Sequence, residues 1–261
     1  MLLLLMLSLL SGGSARVVQD FESGCGKFLA NGKSPTRFPD PQYRQICQTL
    51  NNKVYYATFY DTHNKIPVYS AYKFEGLMGC TRRDTWYIEP QIDDNNGGPN
   101  MEFSTALNIH IRGDRQALSK DYENSGYDRG HLAPVYLANS QSCAEATFTL
   151  TNAAPQTKCF NRVFWWEEEE SLGKHLGKCH LNVYIVTGVV PGTNYINSRV
   201  NVPSHFWTAY CCLDQNNKCS DSGGVIGTNV NDSIIRKMSV VDLEAELRKL
   251  YGRAFQVFQY K

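Results

Sequence analysis

Two runs constrain this chain more than any others. One is Tyr127-Asp128-Arg129-Gly130-His131-Leu132-Ala133-Pro134; the other is the Trp- and Glu-rich run that follows, from Thr151 to Glu170. Phe160 to Leu172 has the clearest helical pattern in the chain, and Asn161, near its start, lies 30 positions after His131. A strand carrying His131, a second strand over 147–152 and a helix carrying Asn161 would bring both side chains to one place. On such a helix Trp165, Glu168 and Glu169 return near the azimuth of Asn161. The residue types suit a particular chemistry. A neutral imidazole is a good general base near neutral pH. The amide oxygen of Asn161 is a hard neutral ligand suited to Mg²⁺, which keeps most of its waters and takes few protein oxygens. Asp128 is placed to orient an imidazole or nearby backbone, and Arg129 to grip a phosphate with a two-pronged contact. Gly130 permits a sharp turn or a close approach. His63, His110, His175, His180 and His205 lack such surroundings and read as structural, and at least two of Glu167 to Glu170 read as a solvated helix face.

The rest of the sequence reads as a scaffold. At 261 residues it suits one large domain. Lys53 to Asp61 and Ile66 to Phe74 predict a hairpin around the polar turn Thr62 to Lys65. Thr81 to Ile92 reads as a further extended piece, Asp93 to Pro99 as a loop, and Ala146 to Asn152 as a strand. Leu181 to Gly188 and Ser204 to Leu213 predict buried strands. Val240 to Leu250 predicts a helix stopped by Gly252. Strands separated by long irregular loops fit an α+β fold with a mainly antiparallel sheet better than regular βαβ alternation.

Residues 1–15 combine a short apolar run with small residues at a cleavage-like site, and predict a signal peptide ahead of one domain over 16–261. No later segment reads as a membrane anchor. Behind such a leader, nine cysteines read as a disulfide set with at least one left over. Cys25 with Cys47 is the pairing favoured by proximity. Neighbours Cys211 and Cys212 point to opposite faces of a strand and need different partners. Asn231-Asp232-Ser233 is an N-glycosylation triplet. Arg112-Gly113-Asp114 reads as surface loop, and the spacing of His175, Cys179, His180 and Cys211/Cys212 matches no strong zinc pattern. Net charge is +1, so a polyanion would meet a local basic surface rather than a basic protein.

Together, Asp128-Arg129-Gly130-His131, Leu150-Thr151-Asn152-Ala153-Ala154-Pro155-Gln156 and Asn161 with its helix resemble the signature of the DNA/RNA non-specific endonucleases, the ββα-metal nucleases related to endonuclease G. The likeness runs from about Cys25 to Phe258. Glu89-Pro90-Gln91-Ile92-Asp93-Asp94 and Ala209-Tyr210-Cys211-Cys212 are similar to the endonuclease domain-containing 1 group. The resemblance implies a secreted, sugar-non-specific endonuclease acting on DNA or RNA with Mg²⁺, or Mn²⁺ in its place. In it His131 is the general base and Asn161 the metal ligand. Arg83, with Arg82 as the alternative, stabilises phosphate charge, and Glu169, ahead of Glu168, positions water. Arg129 and Asn152 contact the substrate, supported by Asp128 and Gly130. Some members carry another arginine about one helical turn after the glutamate; here that place holds Gly173 beside Lys174. The competing expectation is a secreted nuclease-fold domain that binds nucleic acid or a protein without cutting.

Overall fold

The computed structural model describes residues 17–105, 113–180 and 182–259. The predicted leader, His110, Arg112 and Leu181 lie outside them. In chain order the strands are β1 (Val17–Val18), β2 (Tyr43–Leu50), β3 (Lys53–Asp61), β4 (Ile66–Phe74), β5 (Tyr127–His131), β6 (Ala153–Thr157), β7 (Asn182–Val190), β8 (Asn194–Ile196), β9 (Val200–Val202), β10 (His205–Leu213), β11 (Cys219–Thr228) and β12 (Arg236–Met238). The helices are α1 (Phe21–Cys25), α2 (Pro90–Asp93), α3 (Ser119–Tyr122), α4 (Gln141–Ala146), α5 (Trp166–Leu176, entered through a π-helical turn over Phe160–Trp165) and α6 (Val240–Tyr251).

An eight-stranded sheet in the order β1-β2-β3-β4-β7-β10-β11-β12 is antiparallel at every pairing. The predicted hairpin is β3 and β4, with the turn over 62–65 as expected. Period-2 alternation sorts side chains to two faces. On β10, Trp207, Ala209, Cys211 and Leu213 join the core under α6, whereas Phe206 and Cys212 face the other side. Helix α6 starts where the Ser239 hydroxyl accepts from the Asp242 N–H (3.1 Å) and stops at Gly252, whose φ of +67° suits a residue without Cβ.

Between β4 and its sheet neighbour β7 the described residues, 75–105 and 113–180, lie outside the large sheet, and the predicted site residues lie on this excursion. The excursion is tied back through buried polar contacts. Gln48 Nε2 donates to Thr151 Oγ1 (2.9 Å), Tyr56 donates to the Ala146 carbonyl (2.9 Å), and Ser70 Oγ donates to Asn152 Oδ1 (2.8 Å).

Two sequence expectations are corrected here, and one strand is found where the sequence offered no reading. Ala146 to Asn152 is not a strand: α4 ends at Ala146, a 3₁₀ turn covers Leu150–Asn152, and the ladder begins at Ala153. Thr81 to Ile92 is largely irregular, with a bridge at Tyr87 and the start of α2 at Pro90, where proline suits the first helical turn. The glycine-rich segment Cys219–Thr228 is a full strand, β11. Its glycines lie where a Cβ would meet Tyr210 (Gly223), Leu243 (Gly224) or Phe160 (Gly227).

Two disulfides close, Cys25–Cys47 as favoured and Cys211–Cys219. Cys212 lies on the opposite face, in the core cluster that Cys179 packs against. Among the described residues no helix is long and apolar enough to cross a membrane.

Candidate active site

Strands β5 and β6 pair antiparallel from Tyr127↔Thr157 to His131↔Ala153, and the helix follows directly. Gly130 is required by closeness rather than by a turn: a Cβ there would fall 2.2 Å from Gln156 Oε1. Asn152 locks the chain just after His131. Its Oδ1 accepts from the Ala133 N–H (2.9 Å) and Ser70, and its Nδ2 donates to the carbonyls of Ala133 (3.0 Å) and Thr147 (2.9 Å). With all four hydrogen bonds made and no exposed surface, Asn152 is a clamp and has nothing left to offer a phosphate. Its expected substrate contact is thereby corrected.

The helix brings the rest together through its π-helical turn. At about 100° per residue, a regular α-helix would set Glu169 roughly 80° away from Asn161. The wider turn absorbs one residue, so Asn161, Arg162, Trp166 and Glu169 line one cleft. Trp165 instead enters the core against Phe160 and Phe206, and Glu168 pairs with Lys237 (2.8 Å) away from the cleft. The helical period pointed to Trp165 and Glu168 as well as Glu169; the structure keeps Glu169 alone.

The cleft has a volume of about 740 Å³ and is lined by Arg82, Trp86, Arg129, His131 and Tyr136 besides the helix residues. His131 is 8% exposed, with Trp86 at 4.9 Å and Phe148 edge-on at 4.8 Å between ring centres. Burial first, then the Arg82 and Arg129 guanidinium groups, push its pKa down to about 3, so the ring is neutral at working pH. Glu169 is partly buried, and burial pushes its carboxyl up to about 8 against the pull of Arg82.

Asp128 does not contact the imidazole. It accepts from Asn161 Nδ2 (3.0 Å) and takes a two-pronged contact from Arg162 Nε and Nη2 (both 2.8 Å). Burial alone would raise the Asp128 carboxyl; the Arg162 and Asn161 hydrogen bonds hold it below the usual range. Arg129 stacks on Trp86 at 4.9 Å, donates weakly to Ser119 (3.4 Å), and forms no ion pair among the described residues.

Of the two adjacent arginines, Arg82 enters the cleft, stacked over Phe148 at 5.2 Å, whereas Arg83 is 67% exposed and pairs with Glu145 (3.2 Å) outside it. The preference for Arg83 is corrected on that geometry. Arg162, Tyr136 and Trp166 escaped the sequence reading. Arg162 adjoins Asn161, but nothing local distinguishes it from any surface arginine. At Gly173 a Cβ would meet Tyr136 at 2.9 Å and Leu137 at 3.0 Å, so no longer side chain fits; Lys174 pairs with Glu170 (3.0 Å) and does not line the cleft.

The residues fit a hard, largely hydrated cation. An ionised Asp128 only accepts, so the Asn161 amide must turn its nitrogen to it. This leaves Oδ1 without a hydrogen-bond donor among the described residues. Glu169 brings a carboxyl group to the same cleft. Among the described residues no group of three or more His, Cys, Asp or Glu is placed to hold a metal.

A small antiparallel β pair leading into a helix, mounted on a larger antiparallel sheet, defines a ββα-metal nuclease fold. The solved structure of an EndoG/EndoGI complex matches it with a TM-score of 0.55 at 21% identity, covering 90% of this chain and 91% of that one. Residues 35–251 match the DNA/RNA non-specific endonuclease model, and the chain belongs to that family. The human endonuclease domain-containing 1 protein is 35% identical over 210 residues, 76% of this chain and 41% of its own length. The chain therefore spans about two fifths of that relative. Mitochondrial endonuclease G of Bos taurus is 29% identical over 176 residues, 60% of this chain and 52% of its own.

Proposed function

We propose that this chain is a divalent-metal-dependent endonuclease that hydrolyses phosphodiester bonds in DNA or RNA outside the cell. The observation that carries this reading is a neutral, buried imidazole sharing one cleft with an amide oxygen that Asp128 holds free for a cation. His131 takes the proton of an attacking water as its oxygen bonds to phosphorus and the ester oxygen leaves. Arg82 stabilises the charge that builds on the phosphate oxygens. Glu169 holds water in the cleft, and Arg129, carried on Trp86, grips a neighbouring phosphate. Asn161 would hold Mg²⁺ or Mn²⁺, and a bound ion would neutralise charge on the phosphate and the leaving oxygen. The two disulfides favour an oxidising compartment, and Asn231 is exposed in a turn, as a glycan acceptor must be.

The test uses purified protein on plasmid DNA and on RNA, with Mg²⁺ and with chelator. Cleavage requires the ion, and His131→Ala lowers the rate by roughly 10²–10⁴-fold. Equal cleavage by wild type and His131→Ala overturns the assignment. A second reading, a domain that binds without cutting, has one observation behind it: three arginines in the cleft face four acidic side chains, Asp84, Glu123, Asp128 and Glu169. It predicts oligonucleotide binding with no cleavage under any divalent ion.

A further inference from the structure

The cleft lacks the basic stripe expected of a duplex binder, since its three arginines share it with four acidic side chains and Arg162 is already held by Asp128. What it offers instead is aromatic surface. Trp166 is 43% exposed on the cleft side of α5, with Tyr136 edge-on at 5.1 Å. Tyr136 reaches that position because residue 173 is glycine; even a methyl group there would press on its ring at 2.9 Å. Leu77, 40% exposed, lies beside the same position, where a Cβ would fall 3.2 Å from its side chain. Ordinary packing would bury such an indole, as Trp165 next to it is buried at 2%. An exposed indole braced by a second ring, continuous with a catalytic cleft, is a surface for a flat π-system.

We propose that Trp166, braced by Tyr136, is a stacking shelf for an unpaired base, and that it makes single-stranded or locally unpaired nucleic acid the favoured substrate of this site. The inference rests on the endonuclease reading and adds its substrate class. A base inside a duplex is already stacked on both faces and cannot use the shelf. An unpaired base can, and stacking is tolerant of base identity. With Arg82 and Arg129 as the cleft arginines that form no ion pair among the described residues, binding should also depend only weakly on salt.

The test measures binding apart from cleavage. Full-length protein carrying His131→Ala is titrated, with Mg²⁺ present, against a labelled 12-nucleotide single strand, its duplex, and a single strand with abasic sites. Fluorescence anisotropy gives the affinities. The single strand should bind more tightly than the duplex. Trp166→Ala should weaken the single strand about tenfold and leave the duplex unchanged, while Trp166→Phe restores most of the loss. The abasic strand should bind the parent as poorly as the intact strand binds Trp166→Ala. For the single strand, the slope of log affinity against log salt should be near about −2 or shallower. Equal losses on single strand and duplex, no loss at all, or an abasic strand that binds like the intact one overturns the shelf. The plasmid assay reads the endonuclease assignment separately: cleavage that persists without a Trp166 effect on strand preference sinks the shelf alone, whereas no cleavage and no binding sinks both. Trp166 is exposed, and an unchanged melting temperature in Trp166→Ala certifies the fold.

Discussion

Replacing Asp128 with asparagine tests whether the first residue of the Asp-Arg-Gly-His run serves the cation side of the cleft rather than the histidine. The substitution keeps the shape and removes the charge. The new amide accepts through one oxygen but turns an N–H₂ toward either Asn161 or Arg162, both of which donate at this position. A hydrogen bond to a charged group contributes about 1.5–3 kcal/mol net. The Arg162 side chain is 63% exposed and that of Asp128 16%, so solvent screening reduces the expected loss to about 1–2 kcal/mol. If most of that loss falls on the orientation of Asn161, the Mg²⁺ concentration giving half-maximal rate rises roughly 5–30-fold. The rate at saturating Mg²⁺ changes less. The melting temperature falls by only about 2–4 °C per kcal/mol lost in a domain of this size. The assay is the initial rate of plasmid nicking across a Mg²⁺ series, with Arg162→Ala as the control, since it leaves the Asn161–Asp128 bond in place. If Asp128→Asn lowers stability but leaves the Mg²⁺ dependence where it was, or if Arg162→Ala shifts it equally, Asp128 does not position the ligand.

Three further outcomes are expected. Arg82→Ala should lower kcat/KM by about 10²-fold and Arg83→Ala by less than about threefold, and the opposite order would return the role to Arg83. Without divalent ions, stability should fall at both ends of the pH range, as read by urea unfolding from pH 4 to 9. His131, depressed to about 3 when folded, contributes nothing above its unfolded value near 6.5, and costs about 2 kcal/mol by pH 5 because only the unfolded chain takes the proton. Glu169, raised to about 8, contributes stability that is fully present below its unfolded value near 4.5 and lost as pH rises through 8, a loss discounted to about 1–2 kcal/mol for its partial exposure. Glu169→Gln should flatten the alkaline limb, and an unchanged limb contradicts the assignment. Deleting Val163, which is 44% exposed in the π-helical turn, should straighten the helix while keeping Asn161 and Glu169 on one face, with at least about a tenth of the activity retained. Deleting Phe164 as well should swing Glu169 about 100° out of the cleft and abolish cleavage.

Some of this molecule was legible from local pattern. The hairpin of β3 and β4 alternates, ends on polar turn residues, and has the predicted bounds. Helix α6 carries its own cap and stop in Ser239 and Gly252. Cys211 and Cys212 diverge as any neighbours on a strand must. Strand β11 was hidden because its glycines obey neighbours distant in sequence, Tyr210, Leu243 and Phe160, and no local rule announces them. Asn152 shows the same limit at the level of one residue. An asparagine next to a site is chemically able to bind a phosphate or to lock a loop, and only its burial and four satisfied hydrogen bonds decide between them.

The helix register is the deeper case, because there a correct element carried a wrong face. Sequence periodicity assumes 3.6 residues per turn, and under that assumption Trp165 and Glu168 share the azimuth of Asn161. The turn is instead widened where Phe160 and Trp165 both pack against Phe206. That contact is tertiary: it depends on β10, more than forty residues downstream. Burying Trp165 exposes Trp166, and advancing the helix by one residue turns Glu168 toward Lys237 and Glu169 into the cleft. One packing choice thus selects the carboxylate, frees the indole beside it, and sets which side chains a substrate strand meets.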